Sequence, residues 1–273
     1  MPPVKNPLDL YKLLPRTNCG DCGMTSCLAF AAAVLKEEGR LDDCAHLDRT
    51  VARRIAPDLS RQVNLESIRE EQLKELKRKI GSTDVASRAA LLGAVARGGS
   101  IVVKCLGKNF EVDQAGNVMS QCHTHAWFSL PLLDYLLHSR GERPSGRWLP
   151  FRELEQGRTW SRLFERRCEQ PLKRVADTHS DLFSDLVGMF SGSSSSEVFG
   201  SDISVILHPL PLVPVLICYW KPDGDLASKL DLFFDDTAER NLSIESLFTL
   251  GTGLVRMFEK IMYRHTDGRS PLD

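Results

Sequence analysis

Four cysteines carry the chemistry of this chain. Cys19, Cys22, Cys27 and Cys44 follow the spacing C-x2-C-x4-C-x16-C, inside P-R-T-N-C-G-D-C-G-M-T-S-C-L-A-F and a later L-D-D-C. Four thiols within 26 residues, the first three around a glycine-rich turn, are what a tetrathiolate metal site requires. A cubane [4Fe–4S] cluster needs four thiolates, an apolar cover and backbone N–H groups aimed at its sulfurs. Gly20 and Gly23 have no Cβ, so the backbone can bend tightly and come close to a bulky cluster. Cys27 falls at the start of a predicted helix, where free N–H groups and the positive end of the dipole favour an anion. Leu14, Met24, Leu28, Phe30 and Leu41 are the candidate apolar cover.

Other uses of these thiols make different demands. Structural zinc also takes four thiolates, but usually from two C-x2–4-C knuckles, and Cys27 and Cys44 form no knuckle. A C-x-x-C redox pair would use Cys19 and Cys22 and leave the other two unexplained. Four unrelated core cysteines would have no reason to cluster. The remaining cysteines, Cys105, Cys168 and Cys218, sit in apolar or helical settings and read as inert core thiols.

A second candidate site is Cys122-His123-Thr124-His125. On a strand His123 and His125 would share one face, with Cys122 on the other, and the imidazoles could bind a metal or a corrinoid cobalt. The competing reading is a pair of surface histidines. Arg147, Arg152, Glu153 and Arg158, flanked by Trp148, Phe151 and Trp160, could hold a phosphate or carboxylate, or form a salt-bridged loop. Asp223, Asp225, Asp235 and Asp236 read as turn and strand-end residues. No catalytic acid, base or nucleophile set is legible.

Composition bounds the answer. The chain has 273 residues, 42% hydrophobic and 26% charged, with 35 Lys+Arg against 36 Asp+Glu. That balance gives no electrostatic footprint for nucleic acid. No apolar run approaches the ~20 residues of a membrane span, and the N-terminus lacks the pattern of a signal peptide. Eight cysteines are too sparse for a disulfide scaffold, and a cytoplasmic protein is expected.

The elements around the thiols follow from periodicity. Pro7–Leu14 is predicted as a short helix stopped by Pro15. Thr25 or Ser26 should cap a helix from Cys27 to about Glu38, with Gly39 as its stop. Asn64 is a plausible cap for a helix through Ile80, whose wet face offers Glu70–Lys74 and Glu75–Lys79 pairs. A further helix is predicted from Val85 to Arg97. Beyond Gly99 the pattern turns to strands: a hairpin around Gly107-Lys108, a turn at Asp113–Asn117, and a strand from Val118 to His125. Helices are expected at Trp127–His138, Arg158–Arg167 and Asp181–Phe190, the last two separated by Pro171. Ser191–Ser196 reads as a low-complexity loop. Strands at Asp202–His208, Val213–Trp220 and Leu230–Phe234 and a terminal helix from Ser243 to Met262 complete the chain. The expected class is α+β with a mainly antiparallel sheet, divided into a four-cysteine module at 1–58, connecting helices at 59–98 and an α+β domain at 99–273.

The run Pro15–Ala31 with L-D-D-C closely resembles the cluster-binding module of the corrinoid iron–sulfur protein large subunit, from the acetyl-CoA synthase/carbon monoxide dehydrogenase system. Similar modules occur in the B subunit of ion-pumping ferredoxin:NAD oxidoreductases. The resemblance covers about residues 7–48 and implies one [4Fe–4S] cluster on Cys19, Cys22, Cys27 and Cys44. The remainder resembles a domain-of-unknown-function family of anaerobic bacteria and archaea, through Ser145-Gly-Arg-Trp-Leu-Pro-Phe-Arg-Glu-Leu154, Phe233-Phe-Asp-Asp-Thr-Ala238 and Pro211–Trp220. The barrel and cobalamin domain of the corrinoid protein are not recognisable, so a methyl-carrier role does not transfer. The expectation is an iron–sulfur protein of anaerobic, corrinoid-linked or one-carbon metabolism. It would pass single electrons to a partner protein or to a small molecule on the C-terminal domain. A zinc-stabilised scaffold and an enzyme fed by the cluster are the alternatives.

Overall fold

A computed structural model describes residues 7–35, 39–121, 126–179, 190, 193–194 and 198–265. The chain divides into two compact units, meeting in sequence between Gln72 and Leu73.

In the N-terminal unit, α1 (Pro7–Leu13) and α2 (Cys27–Leu35) bracket the cysteine loop. Ser26 caps α2, its Oγ accepting from the Ala29 N–H at 3.1 Å, which satisfies one of the helix's orphan donors. A 3-10 turn at Leu41–Asp43 then brings Cys44 back. Leu10, Leu14, Phe30, Ala31, Val34, Leu47 and Ile55 bury together as a small core. The helix α3 (Arg49–Gly81) starts from Asp48, whose Oδ1 accepts from the Thr50 N–H at 2.7 Å. The break expected before Asn64 does not occur: α3 is continuous and contains Pro57. The stretch Arg49–Ala56 is rich in helix formers, and Ile55 is held in the small core, so burial recruits a helix that starts earlier than its polar cap signal. On its far end Glu75 meets Arg78 at 2.8 Å and Lys79 at 3.9 Å, exposed pairs of the i,i+3 and i,i+4 kind.

The C-terminal unit holds two antiparallel sheets. The first is a meander of β1 (Val95–Arg97), β2 (Ser100–Cys105), β3 (Lys108–Val112) and β4 (Val118–Met119). The helix expected at Val85–Arg97 is corrected: only a 3-10 turn forms at Ala86–Arg88, and Val95–Arg97 pairs antiparallel with Val102, Ile101 and Ser100 of β2 as an edge strand. Gly93, inside the expected span, takes φ of 64°, which a helix cannot contain. The β2–β3 turn falls on Leu106-Gly107, with φ of 48° and 76°, as a two-residue primed hairpin turn needs.

The second sheet has the order β5-β9-β8-β7-β6. Its strands are β5 (Trp148–Pro150), β6 (Ser193–Ser194), β7 (Ile203–Leu210), β8 (Val213–Trp220) and β9 (Lys229–Asp235). Ser193-Ser194, read as loop, pairs with Ile206 and Val205. The helices are α4 (Ala126–His138), α5 (Gly157–Phe164), α6 (Gln170–Thr178), α7 (Ala238–Asn241) and α8 (Ile244–His265). Pro171 does not separate helices as expected. A π turn at Glu165–Glu169 joins α5 to α6, and Pro171 enters in the first turn of α6, where its missing N–H is tolerated. The expected Asp181–Phe190 helix lies almost wholly outside the described residues. The core packs Leu132, Leu136, Phe151, Phe164, Val205, Val215, Phe234, Leu250 and Phe258, with Phe151 stacked on Phe164 at 4.0 Å. The α+β class with antiparallel sheets is the architecture observed.

Candidate metal centre

The cysteine loop folds by using left-handed backbone four times. Arg16, Asn18, Gly20 and Gly23 have φ of 59°, 50°, 82° and 78°. At Gly20 and Gly23 no atom lies within 4 Å of where a Cβ would stand, so the backbone there faces open space. The Gly23 N–H closes a turn on the Gly20 carbonyl at 2.9 Å. Cys44 arrives from the 3-10 turn, its N–H donating to the Leu41 carbonyl at 3.3 Å.

Cys19, Cys22, Cys27 and Cys44 line one cavity, together with Met24 and Phe30. It encloses about 290 Å³ of empty space, its open mouth included. Cys27 is buried, Cys22 and Cys44 are half-buried and Cys19 is exposed. The donor set, four soft thiols on an apolar wall containing Met24 and Phe30, suits an iron–sulfur cluster. Among the described residues the ligand atoms that close to within 4.8 Å of one another are instead those of Cys19, Asp21 and His46. Four thiolates on one zinc, each at about 2.3 Å, would sit roughly 4 Å apart. No three of the four sulfurs come within 4.8 Å of one another.

Asp21 and His46 were not singled out by sequence reasoning. His46 Nε2 donates to Asp21 Oδ2 at 2.6 Å across the mouth of the loop. Hydrogen bonds from His46 and then Cys19 hold the Asp21 carboxyl below the usual carboxylate range, although the group is exposed. Twenty-five positions separate the pair, and no local pattern links them.

The secondary candidates fare differently. Cys122, His123 and His125 lie outside the described residues. Cys105, Cys168 and Cys218 are buried, and burial pushes each thiol up, which keeps it protonated and inert. Arg147 pairs with Asp236 at 2.7 Å, and Arg152 comes within 3.9 Å of Glu153. The aspartates of the second sheet form a latch. Buried Asp235 accepts from the Ser145 N–H at 3.1 Å, the Gly146 N–H at 2.7 Å and Thr237 Oγ1 at 2.7 Å. Ser145 Oγ donates to Asp236 at 2.5 Å, and Trp148 pairs with Asp235 in register. The two motifs Ser145–Leu154 and Phe233–Ala238 are therefore halves of one structural joint. Asp223 exchanges backbone hydrogen bonds with Leu226 in a turn.

A feature the sequence did not reveal is a cleft of about 430 Å³ between the α5–α6 run and β9, lined by Arg152, Arg162, Glu165, Glu169, Lys173 and Asp231. β5 covers only Phe233–Asp235 of that edge of β9. Beyond it the Leu232 N–H turns outward and donates to Glu169 Oε1 at 3.2 Å. Burial pushes the Glu169 carboxyl up to about 7, Asp231 and Glu165 adding to the shift and Arg152 opposing it. The only local signal would have been a glutamate three residues from a buried helical apolar position, which is commonplace.

Fold and site define an α+β protein carrying a four-cysteine, iron–sulfur-type module at its N-terminus. The chain belongs to the family described as "Domain of unknown function (DUF3786)", whose model matches residues 84–257. A second model, described as "Putative Fe-S cluster", matches residues 14–46. Over the same N-terminal region the chain is similar to gamma subunits of the acetyl-CoA decarbonylase/synthase complex. It is 48% identical over 48 residues to that of Methanocaldococcus jannaschii, which is 18% of this chain and 10% of the relative. It is 50% identical over 46 residues to that of Archaeoglobus fulgidus, 17% and 10% of the two chains, and 40% identical over 55 residues to gamma subunit 2 of Methanosarcina mazei, 19% and 12%. The chain thus spans about a tenth of the length of the curated relatives it matches. No solved structure matches it. No helix among the described residues is long and apolar enough to cross a membrane.

Proposed function

We propose that this protein binds one [4Fe–4S] cluster through Cys19, Cys22, Cys27 and Cys44 and passes single electrons to a partner protein. The observation that carries the reading is the quartet itself: four thiols lining one cavity, no three of their sulfurs within 4.8 Å of one another, backed by the apolar side chains of Met24 and Phe30. When bound, the cluster supplies one-electron chemistry. The chain supplies four thiolates, the glycine-lined approach and the shielding of Phe30 and Met24. The gamma-subunit likeness supports an anaerobic, one-carbon setting and a multi-subunit partner, and the cytoplasm is the compartment that would keep the thiols reduced.

Anaerobic purification of the full chain tests this. A brown protein with about four irons per chain and a rhombic EPR signal on reduction is expected. A colourless protein with one zinc per chain would overturn it in favour of a zinc-stabilised scaffold; the Cys19, Asp21 and His46 grouping is the observation on that side.

A second reading rests on the Glu169 cleft. A cleft with a carboxyl poised near neutrality, among Arg152, Arg162 and Lys173 as well as Glu165 and Asp231, is a common setting of a ligand site. In this reading the DUF3786 domain holds the small molecule that receives the electron. Mass spectrometry of anaerobically purified protein for a bound flavin, corrinoid or nucleotide separates the two, since an electron carrier alone should retain none.

A further inference from the structure

Asn18 touches Cys27 twice. Its side-chain Oδ1 accepts from the Cys27 backbone N–H at 2.8 Å. Its own backbone N–H donates to Cys27 Sγ at 3.4 Å. The residue sits at φ 50°, in the left-handed region that asparagine enters more readily than other residues with a Cβ. Cys27 is the first residue of α2 and the buried member of the quartet. Water therefore contributes least at this sulfur, and its hydrogen-bond donors must come from the protein. An N–H donated to a ligating thiolate stabilises the more negative, reduced cluster and so raises its potential.

We propose that Asn18 is a positioning residue that sets the cluster's reduction potential through Cys27. Its amide oxygen ties down the free N–H at the start of α2. That tie fixes the loop so that the Asn18 N–H stays on the sulfur. The two contacts depend on each other. The side chain occupies the Cys27 N–H, and the backbone gives the sulfur one donor in a fixed place. The inference rests on the cluster reading above.

The test uses anaerobically purified full-length protein. Asn18→Gly accommodates the left-handed backbone and removes only the tether. It should keep close to the wild-type iron content while its midpoint potential moves negative. Asn18→Asp keeps an acceptor at the same place and should retain the contact to sulfur. Pulsed EPR on reduced wild-type protein grown with 15N-asparagine reads that contact directly, and a nitrogen coupling to the cluster is expected; Asn18→Gly, which carries no asparagine there, is read by its potential. An unchanged or more positive potential in Asn18→Gly overturns the proposal, as does a wild type without the asparagine coupling. The latter holds even where Asn18→Gly fails to take up iron. A wild type that binds no iron sinks the cluster reading itself, whereas an iron-loaded wild type with an indifferent Asn18→Gly sinks only this inference.

Discussion

The two units of the chain are stabilised in different ways. Among the described residues the N-terminal unit buries eight apolar side chains in its core and the C-terminal unit thirty-nine. A core of eight seldom holds a fold alone, so small modules commonly lean on a metal. The cysteine loop also uses four left-handed residues, two of them not glycine. Those two, Arg16 and Asn18, cost free energy that a bound cluster would offset. The C-terminal unit instead closes on itself, with stacked Phe151 and Phe164 and the Asp235 latch at the rim of its second sheet. The difference teaches where metal dependence should be felt.

The largest effect should come from taking the metal away. Cys44→Ser, or removal of iron from the wild type, is expected to leave amides of residues 14–47 exchanging with solvent many-fold faster, with residues 100–258 unchanged. Hydrogen exchange read by mass spectrometry measures both regions at once. Equal protection with and without iron would erase the contrast. Next is the latch. Asp235→Ala strands the buried Thr237 hydroxyl and the N–H groups of Ser145 and Gly146, and should cost the C-terminal unit about 3 kcal/mol. Thermal unfolding should show that loss while iron content stays at the wild-type level.

The smallest effect concerns Glu169. Its carboxyl titrates near 7 in the folded chain against an ordinary value of 4.5. The folded state therefore binds the extra proton between those values. This group's contribution is complete below about pH 4.5 and is lost as pH rises through about 7. The difference amounts to on the order of 2 kcal/mol once partial exposure is allowed for. Glu169→Gln should remove that slope and make the C-terminal unit more stable than wild type at pH 8, as denaturant unfolding at several pH values would report. An unaltered slope would mean that Glu169 is better solvated than its place beside Leu232 indicates.

Much of this was legible in the residues. The cysteine spacing and Gly20 and Gly23 point to the cavity, Thr25 or Ser26 to the start of α2, and Gly107-Lys108 to the first hairpin, within one residue of its turn. The continuous apolar, β-branched run Val213–Trp220 and the apolar stripe after Ser243 likewise match β8 and α8. These signals are local: a side-chain period, a cap, a turn, each written within a few neighbouring positions. Where a local signal competes with packing, packing prevails. Asn64 looks like a cap but lies inside α3, and Val85–Arg97 looks helical but is broken at Gly93, after which β1 begins.

What the sequence determined by itself was the kind of chemistry, four thiols and a turn able to approach a cluster, together with the class of fold. Only the tertiary structure decided which distant groups meet. It brought His46 to Asp21, spent Arg147 on Asp236 and Asp235 on the Ser145-Gly146 backbone, and left Glu169 beside an uncovered strand edge. The reason is physical. Ligand identity and backbone freedom are properties of single residues, whereas a hydrogen bond across 25 or 90 positions exists only after the chain has closed.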